Sequence, residues 1–327
     1  MPETLTEHYL ETADRKRLLL IDGHALIYRA YHAFPGLTAA DGTLVNAVYG
    51  FTRILLTVLS DFRPEYCVVT FDHKGPTQRA QAYAEYKAHR PEMPDDLKPQ
   101  IQIIKDLVTT LNIPQFSLEG YEADDLIGTI TQQLHDRLDI LSTVITGDKD
   151  LFQLVDPQVT VWIPARAVRK GVQTHDIEYD SEGVLKKMGV FPNQIVDLKA
   201  LMGDASDNIP GVKGVGQKTA VNLIATFGSL DGVYEVVEDE SKRNKHASLF
   251  KPALTQKLLA EKTQAYLSQN LARIQRDVPI EFTLDDCLLR SYDKAVVAER
   301  FEELEFRSLI SLLPKDQFEL SVQEALF

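Results

Sequence analysis

The sequence predicts an α/β protein, with a mostly parallel central sheet flanked by helices in its first half and helices alone in its second. Three observations carry this reading. Short apolar runs recur at residues 18–21, 66–71 and 141–146, as in strands buried on both faces. Segments of helical period lie between and after them, which implies right-handed crossovers between parallel strands. Beyond about residue 175 the apolar positions follow the helical period only.

From the N-terminus, residues 1–17 are polar and of mixed charge, without the apolar core of a secretory signal, and are expected as a flexible extension. The strand at 18–21 follows. Val45, Val48, Thr52, Leu55 and Leu59 trace a helical stripe before the strand at 66–71, and Leu97, Ile101, Ile104, Val108 and Leu111 trace another after it. Ala123, Leu126, Ile127, Ile130, Leu134 and Leu138 form a third stripe, leading to the strand at 141–146; a further strand is expected at 159–163. Helices are then expected over 181–188, 193–202, 217–227, 229–237, 252–274 and 293–313, with the charged stretch 238–246 a surface loop. The α/β part thus spans 18–175 and the helical part 176–315, leaving 316–327 as a tail or linker.

With 327 residues, 44% hydrophobic and 25% charged, the chain can bury a full core. No apolar run approaches the ~20 residues a membrane-spanning helix needs. The two cysteines, Cys67 and Cys287, stand far apart in unrelated contexts, and Cys67 lies in an apolar run where a reduced thiol is expected, so a cytoplasmic location follows. A net charge of −13 argues against a nucleic-acid partner only if the acids are evenly spread.

They are not. In open parallel sheets, ligands bind beyond the carboxyl ends of the strands, and each main strand delivers an acid there. The first ends at Asp22, the second at Asp72, and the third runs into Asp148 and Asp150. Glu122, Asp124 and Asp125 open a helix, and Asp204 and Asp207 follow the helix ending near Met202. Any one of these acids can be a plain turn or cap residue. Nine carboxylates sharing one crevice need cations to neutralise them. Carboxylate ligands without a Cys/His cluster point to Mg²⁺ or Mn²⁺, and the number of acids to two ions. Two such ions suit in-line phosphodiester hydrolysis.

Two basic features accompany the acids. Residues 211–220 read as a glycine-rich hairpin entering a helix: Gly214 and Gly216 let the backbone approach a phosphate, while Lys213 and Lys218 add charge. Within about 195–228 this is similar to a helix–hairpin–helix motif, which grips duplex DNA without reading bases; a plain interhelical turn is the bland alternative. Between Asp72 and Pro94 lie Lys74, Arg79, Tyr83, Tyr86, Lys87, His89 and Arg90. Lys87 and Arg90, spaced three apart on an expected helix face, can clamp a phosphate, and the aromatic rings can stack on unpaired bases. A merely solvated basic helix would share this composition.

In this combination the chain resembles the 5′ nuclease (flap endonuclease-like) family, above all the 5′–3′ exonuclease domains of bacterial DNA polymerases I. The blocks that carry the resemblance are Leu-Ile-Asp22-Gly, Thr-Phe-Asp72, Tyr-Glu122-Ala-Asp124-Asp125, Thr-Gly-Asp148-Lys-Asp150-Leu and Gly-Asp204-Ala-Ser-Asp207-Asn, over about 17–315. It implies that Asp22, Asp72, Glu122 and Asp124 hold a first catalytic Mg²⁺ or Mn²⁺. Asp148, Asp150, Asp204 and Asp207 would hold the second, with Asp125 in support. It further implies a helical arch over about 73–96, containing Arg79, Tyr86, Lys87 and Arg90, through which a 5′ strand threads, with Tyr28 stacking near the scissile nucleotide. The hairpin would hold duplex DNA with a K⁺ ion. The implied substrates are 5′ flaps, nicks, 5′ ends and RNA-primer junctions, cut to 5′-phosphate and 3′-hydroxyl ends. The setting would be a bacterial cytoplasm, nucleoid-associated, and the chain a monomer, either free-standing or one part of a polymerase. Gln78, where an aromatic residue is usual, and His73, in place of a small one, depart from the pattern without removing a ligand.

Three other readings compete: a catalytically dead DNA-binding module, a toxin-type ribonuclease, and a cation- or nucleotide-binding regulator. A dead module would lack one or more metal carboxylates, and none is missing. Toxin-type ribonucleases are shorter and lack the arch and helical grip, and a regulator would not need a basic segment over the crevice.

Overall fold

The computed structural model describes residues 15–34, 36–165 and 176–314. Most of the expected extension and all of the expected 316–327 tail lie outside these residues. Lys16 and Arg17, expected in the extension, instead open the first strand.

Six strands form one sheet in the order β3-β2-β1-β4-β5-β6. They are β1 (Lys16–Asp22), β2 (Tyr66–Thr70), β3 (Gln115–Phe116), β4 (Ile140–Ile145), β5 (Val159–Ile163) and β6 (Ile177–Tyr179). All neighbours are parallel except β5 and β6, so the sheet is mostly parallel as expected. β1 sits centrally, with Leu19 opposite Cys67 on one side and Thr143 on the other. Its run is continuous because both faces are covered. Leu18 and Leu20 join a core with Ile127, Phe152 and Leu198, while Leu19 and Ile21 join a second with Phe51, Ile104 and Phe301.

The helices α1 (Gly23–Ala33), α2 (Asn46–Phe62), α3 (Gln78–Ala82), α4 (Lys98–Thr110) and α5 (Ala123–Gln133) belong to the α/β part. The helical part holds α6 (Ser181–Met188), α7 (Ile195–Met202), α8 (Gln217–Phe227), α9 (Leu230–Glu238), α10 (Glu240–Lys245), α11 (Pro252–Ala260) and α12 (Lys262–Ala272), and the chain continues into α13 (Lys294–Glu303) and α14 (Arg307–Ile310).

Several expectations need correction. α5 stops at Gln133, leaving Leu138 60% exposed, because the chain must turn to enter β4 at Ile140. The charged 238–246 stretch is not a loop. It forms α10, capped by the Asp239 carboxylate accepting from Ser241 and Lys242, with cations in its last turn to match the dipole. The expected helix over 252–274 breaks at Glu261, and the one over 293–313 breaks where Glu305 turns to φ +61. β6 falls beyond residue 175, where no strand was expected; it is a three-residue edge strand with Ile177 half exposed. α13 and α14 pack Val297, Phe301, Phe306 and Leu309 into the core of the α/β part, not into the helical part. Cys67 and Cys287 are both buried free thiols, in segments joined by the Tyr66–Leu288 bridge. No helix among the described residues is long and apolar enough to cross a membrane.

Candidate active site

The carboxyl ends of β1, β2 and β4 meet at one rim. The Asp22 carboxylate accepts from the Ala25 amide at 3.1 Å, so it caps α1, and from the Thr146 hydroxyl at 2.8 Å, which ties β1 to the end of β4. Burial first, then the nearby Asp72 and Asp148 charges, push its pKa up to about 7. Asp72 accepts from the Ala123 amide at 2.8 Å, which brings the β2 end to the start of α5. At the β4 end, the Asp148 amide donates to Thr146 at 2.9 Å and its carboxylate accepts from the Asp150 amide at 2.9 Å. Burial and then the Asp148 charge raise Asp150 to about 7.

The remaining acids are held by cations. Arg79 is 7% exposed and grips Asp125 with both terminal guanidinium nitrogens, at 2.9 and 2.5 Å, while also reaching Glu122 at 3.2 Å. Lys87 Nζ lies 2.6 Å from Glu122, and Arg90 2.5 Å from Asp207. Lys199, 3% exposed, bridges Asp150 and, at 2.5 Å, Asp204. Asp124 Oδ1 is buried without a hydrogen-bond partner, and burial with its acidic neighbours raises its pKa. Among the described residues, no three His, Cys, Asp or Glu side chains are arranged to hold a metal ion.

The segment around 73–96 is not one helix. Within it only α3 is helical. Lys87 and Arg90, expected on one helix face, lie in a run of turns where Lys87 adopts φ +55. The reason is tertiary: the Lys87 amide donates to the Asp207 carbonyl at 2.9 Å, and Asn208 donates to the Glu85 carbonyl at 2.6 Å. The segment is thereby docked on the 204–208 loop. Arg79 and Tyr86, expected to face DNA, are turned inward. Tyr86 is 5% exposed with its hydroxyl 3.2 Å from Glu122, so in this arrangement neither is presented to a strand. Asp125, expected beside a metal, has its oxygens occupied by Arg79 and by the Glu122 and Gln275 amides. Tyr28 is half-buried on α1, within electrostatic reach of Arg90 and Asp72. Of the two departures, Gln78 donates to the Tyr121 hydroxyl and His73 accepts from the Gly75 amide.

The glycine hairpin joins α7 to α8. Gly216 is the N-cap of α8; Gly214 has φ +82, and a Cβ there would clash with Lys257 Nζ. α12 holds the hairpin: Ser268 accepts from the Gly211 amide at 3.0 Å and Gln264 donates to its carbonyl at 2.7 Å. Lys213 and Lys218 are exposed.

Sequence reasoning missed Lys199, His24 and Gln153. A lysine inside the apolar stripe of α7 was a usable signal for the first. His24 Nδ1 accepts the Asp72 amide at 3.0 Å, and burial lowers its pKa. Nothing in the local pattern marked it.

Comparison with known proteins identifies the family. Residues 17–189 match the model of the 5′–3′ exonuclease N-terminal, resolvase-like domain, and residues 190–295 that of the 5′–3′ exonuclease C-terminal SAM fold. The chain is 40% identical over 298 residues to DNA polymerase I of Caldicellulosiruptor bescii, covering 91% of this chain and 33% of the polymerase, so it spans about a third of that relative. It is 35% identical over 315 residues to the 5′–3′ exonuclease of Aquifex aeolicus, covering 95% of this chain and 100% of that protein. Its fold is similar to that of the bacteriophage T5 flap endonuclease solved with DNA and metal ions, with TM-score 0.62, 20% identity and coverage of 94% and 98%. With both domains matched in order and a full-length relative alongside, the chain belongs to the 5′–3′ exonuclease family.

Proposed function

We propose that the chain is a structure-specific 5′ nuclease that removes 5′ flaps and RNA primers by hydrolysing phosphodiester bonds. One observation carries the reading: the strand-end acids Asp22, Asp72, Asp148 and Asp150 share a rim with Glu122 and Asp124, under a segment whose Lys87 reaches Glu122 and whose Arg90 reaches Asp207.

The donor set fits hard divalent cations. It is all oxygen, Asp124 offers a buried oxygen with no hydrogen-bond partner, and Asp22 and Asp150 resist ionising where they stand. Asp22, Asp72, Glu122 and Asp124 would hold one ion, and Asp148, Asp150, Asp204 and Asp207 the other. Mg²⁺ or Mn²⁺ there supplies charge neutralisation and a more acidic water for in-line displacement.

The chain's own residues do the rest. Lys87 and Arg90, with charges now balanced by Glu122 and Asp207, are the cations that would neutralise the scissile phosphate. Tyr28, within electrostatic reach of Arg90, offers a ring for a base to stack on. The exposed Lys213 and Lys218, with the backbone at Gly214 and Gly216, would grip duplex phosphates as a helix–hairpin–helix, with K⁺ at the hairpin. The enzyme works as a cytoplasmic monomer, free-standing like the Aquifex relative or as one part of a DNA polymerase I.

The test compares a 5′-flap duplex, its blunt counterpart and the flap strand alone, with Mg²⁺ and with chelator. Cleavage at the flap junction that disappears in chelator supports the reading. Equal cutting of the single strand contradicts the structure specificity.

A further inference from the structure

Between α12 and residue 284 the chain runs without regular structure, yet its backbone is received by side chains of the α/β part. Arg79 donates to the Arg273 carbonyl at 2.8 Å, Asp125 accepts from the Gln275 amide at 2.8 Å, and Thr129 accepts from the Val278 amide at 3.2 Å. The strap crosses α5 at Gly128, where a Cβ would meet Ile274 Cγ2 at 2.6 Å.

Gln153 ties this strap to the second group of acids. It is 6% exposed, and all its side-chain polar atoms are used. Its amide nitrogen donates to the Asp150 carbonyl and the Ala272 carbonyl, each at 3.0 Å, and its oxygen accepts from the Ile274 amide at 2.9 Å. Arg276 donates to the Gln153 carbonyl at 2.7 Å. Lys199 of α7 holds the side chain of Asp150, and Gln153 holds its backbone.

We propose that Gln153 is a positioning residue for the nuclease reaction, holding the turn that carries Asp148 and Asp150 in register with the C-terminal end of α12. The inference rests on the function proposed above. α12 also grips the glycine hairpin, so one helix connects the proposed duplex grip to the acid-bearing turn. Supporting contacts of this kind set the geometry of ligand oxygens without touching substrate.

The test compares wild type, Gln153→Met, which keeps length but removes all three bonds, and Thr129→Val, which loosens only the far end of the strap. For Gln153→Met we expect kcat on a flap duplex to fall roughly ten- to a hundred-fold, with KM within about two-fold. Mn²⁺ binding, read by electron paramagnetic resonance without cleavage, should weaken about ten-fold. Thr129→Val should keep wild-type kcat. A folded Gln153→Met protein with wild-type kcat and Mn²⁺ affinity overturns the proposal. So does an equal loss of kcat in both variants that follows their loss of Tm. If Gln153→Met does not fold, Gln153→Glu, which keeps the acceptor for Ile274, takes its place under the same thresholds. If wild type cuts no DNA, the nuclease reading falls, and the Mn²⁺ comparison alone decides whether Gln153 positions the turn.

Discussion

Replacing Arg79 with Met tests whether the acids at the start of α5 are assembled around a buried cation. Its guanidinium is 7% exposed and Asp125 2% exposed, so water screens the pair little. Removing one partner of a buried pair costs about 3–5 kcal/mol because the other charge is left uncompensated. Asp125 would keep two backbone donors, Glu122 at 3.2 Å and Gln275 at 2.8 Å, which places the loss at about 3 kcal/mol. At roughly 1.5 °C per kcal/mol for a chain of this size, Tm should fall by roughly 5 °C. Trp162, the one tryptophan, lies on β5 and reports on the α/β part by fluorescence. Asp125→Asn in the Arg79→Met background should cost much less than it does alone, with a coupling of about 2 kcal/mol. Arg79→Lys should not rescue, since the two-point grip needs a fork. A loss below about 1 kcal/mol, or simple additivity of the two changes, would refute the buried-pair reasoning.

Other outcomes follow from the same contacts. Lys87→Ala should lower the single-turnover cleavage rate about a hundred-fold while changing duplex affinity little; cutting at the wild-type rate would remove its phosphate role. In chelator, Asp22 and Asp150 keep their protons up to about pH 7, whereas the unfolded chain releases them near the ordinary value of 3.8. The folded state then binds more protons across that window, so Tm should fall as pH rises through it. Asp22→Asn should flatten that slope, and a slope unchanged by the substitution would show that Asp22 is not its source. Phe301→Ala should lower stability by about 3–5 kcal/mol, read by Trp162 fluorescence, because the buried ring seats α13 in the α/β core; a loss under about 1 kcal/mol would mean that α13 is not docked there.

Much of the frame was legible because periodicity reports burial directly. The β5 bounds match the expected 159–163, and α6 and α8 fall where their stripes begin and end. The acids were legible because parallel sheets put strand ends at one edge. What escaped depends on partners distant in sequence. Residues 84–90 leave the helix because of the 204–208 loop, and Gln153 gains its meaning from Ala272 and Ile274, about 120 positions away. Arg79 and Tyr86 looked like a basic and aromatic surface; only the fold shows that acids of α5 draw both inward. α10 was missed because it buries nothing, so its caps and dipole-matched charges are its whole signature.

Cutting of DNA by the acid rim near a 5′ flap junction is tested most directly with a 5′-labelled flap duplex in Mg²⁺, in Mn²⁺ and in chelator, comparing wild type with Asp148→Ala. Metal-dependent cutting near the junction by wild type, absent from a variant that still binds the duplex, is the predicted result. Tight binding by wild type without cutting under either metal would contradict it and identify the chain as a DNA-binding module.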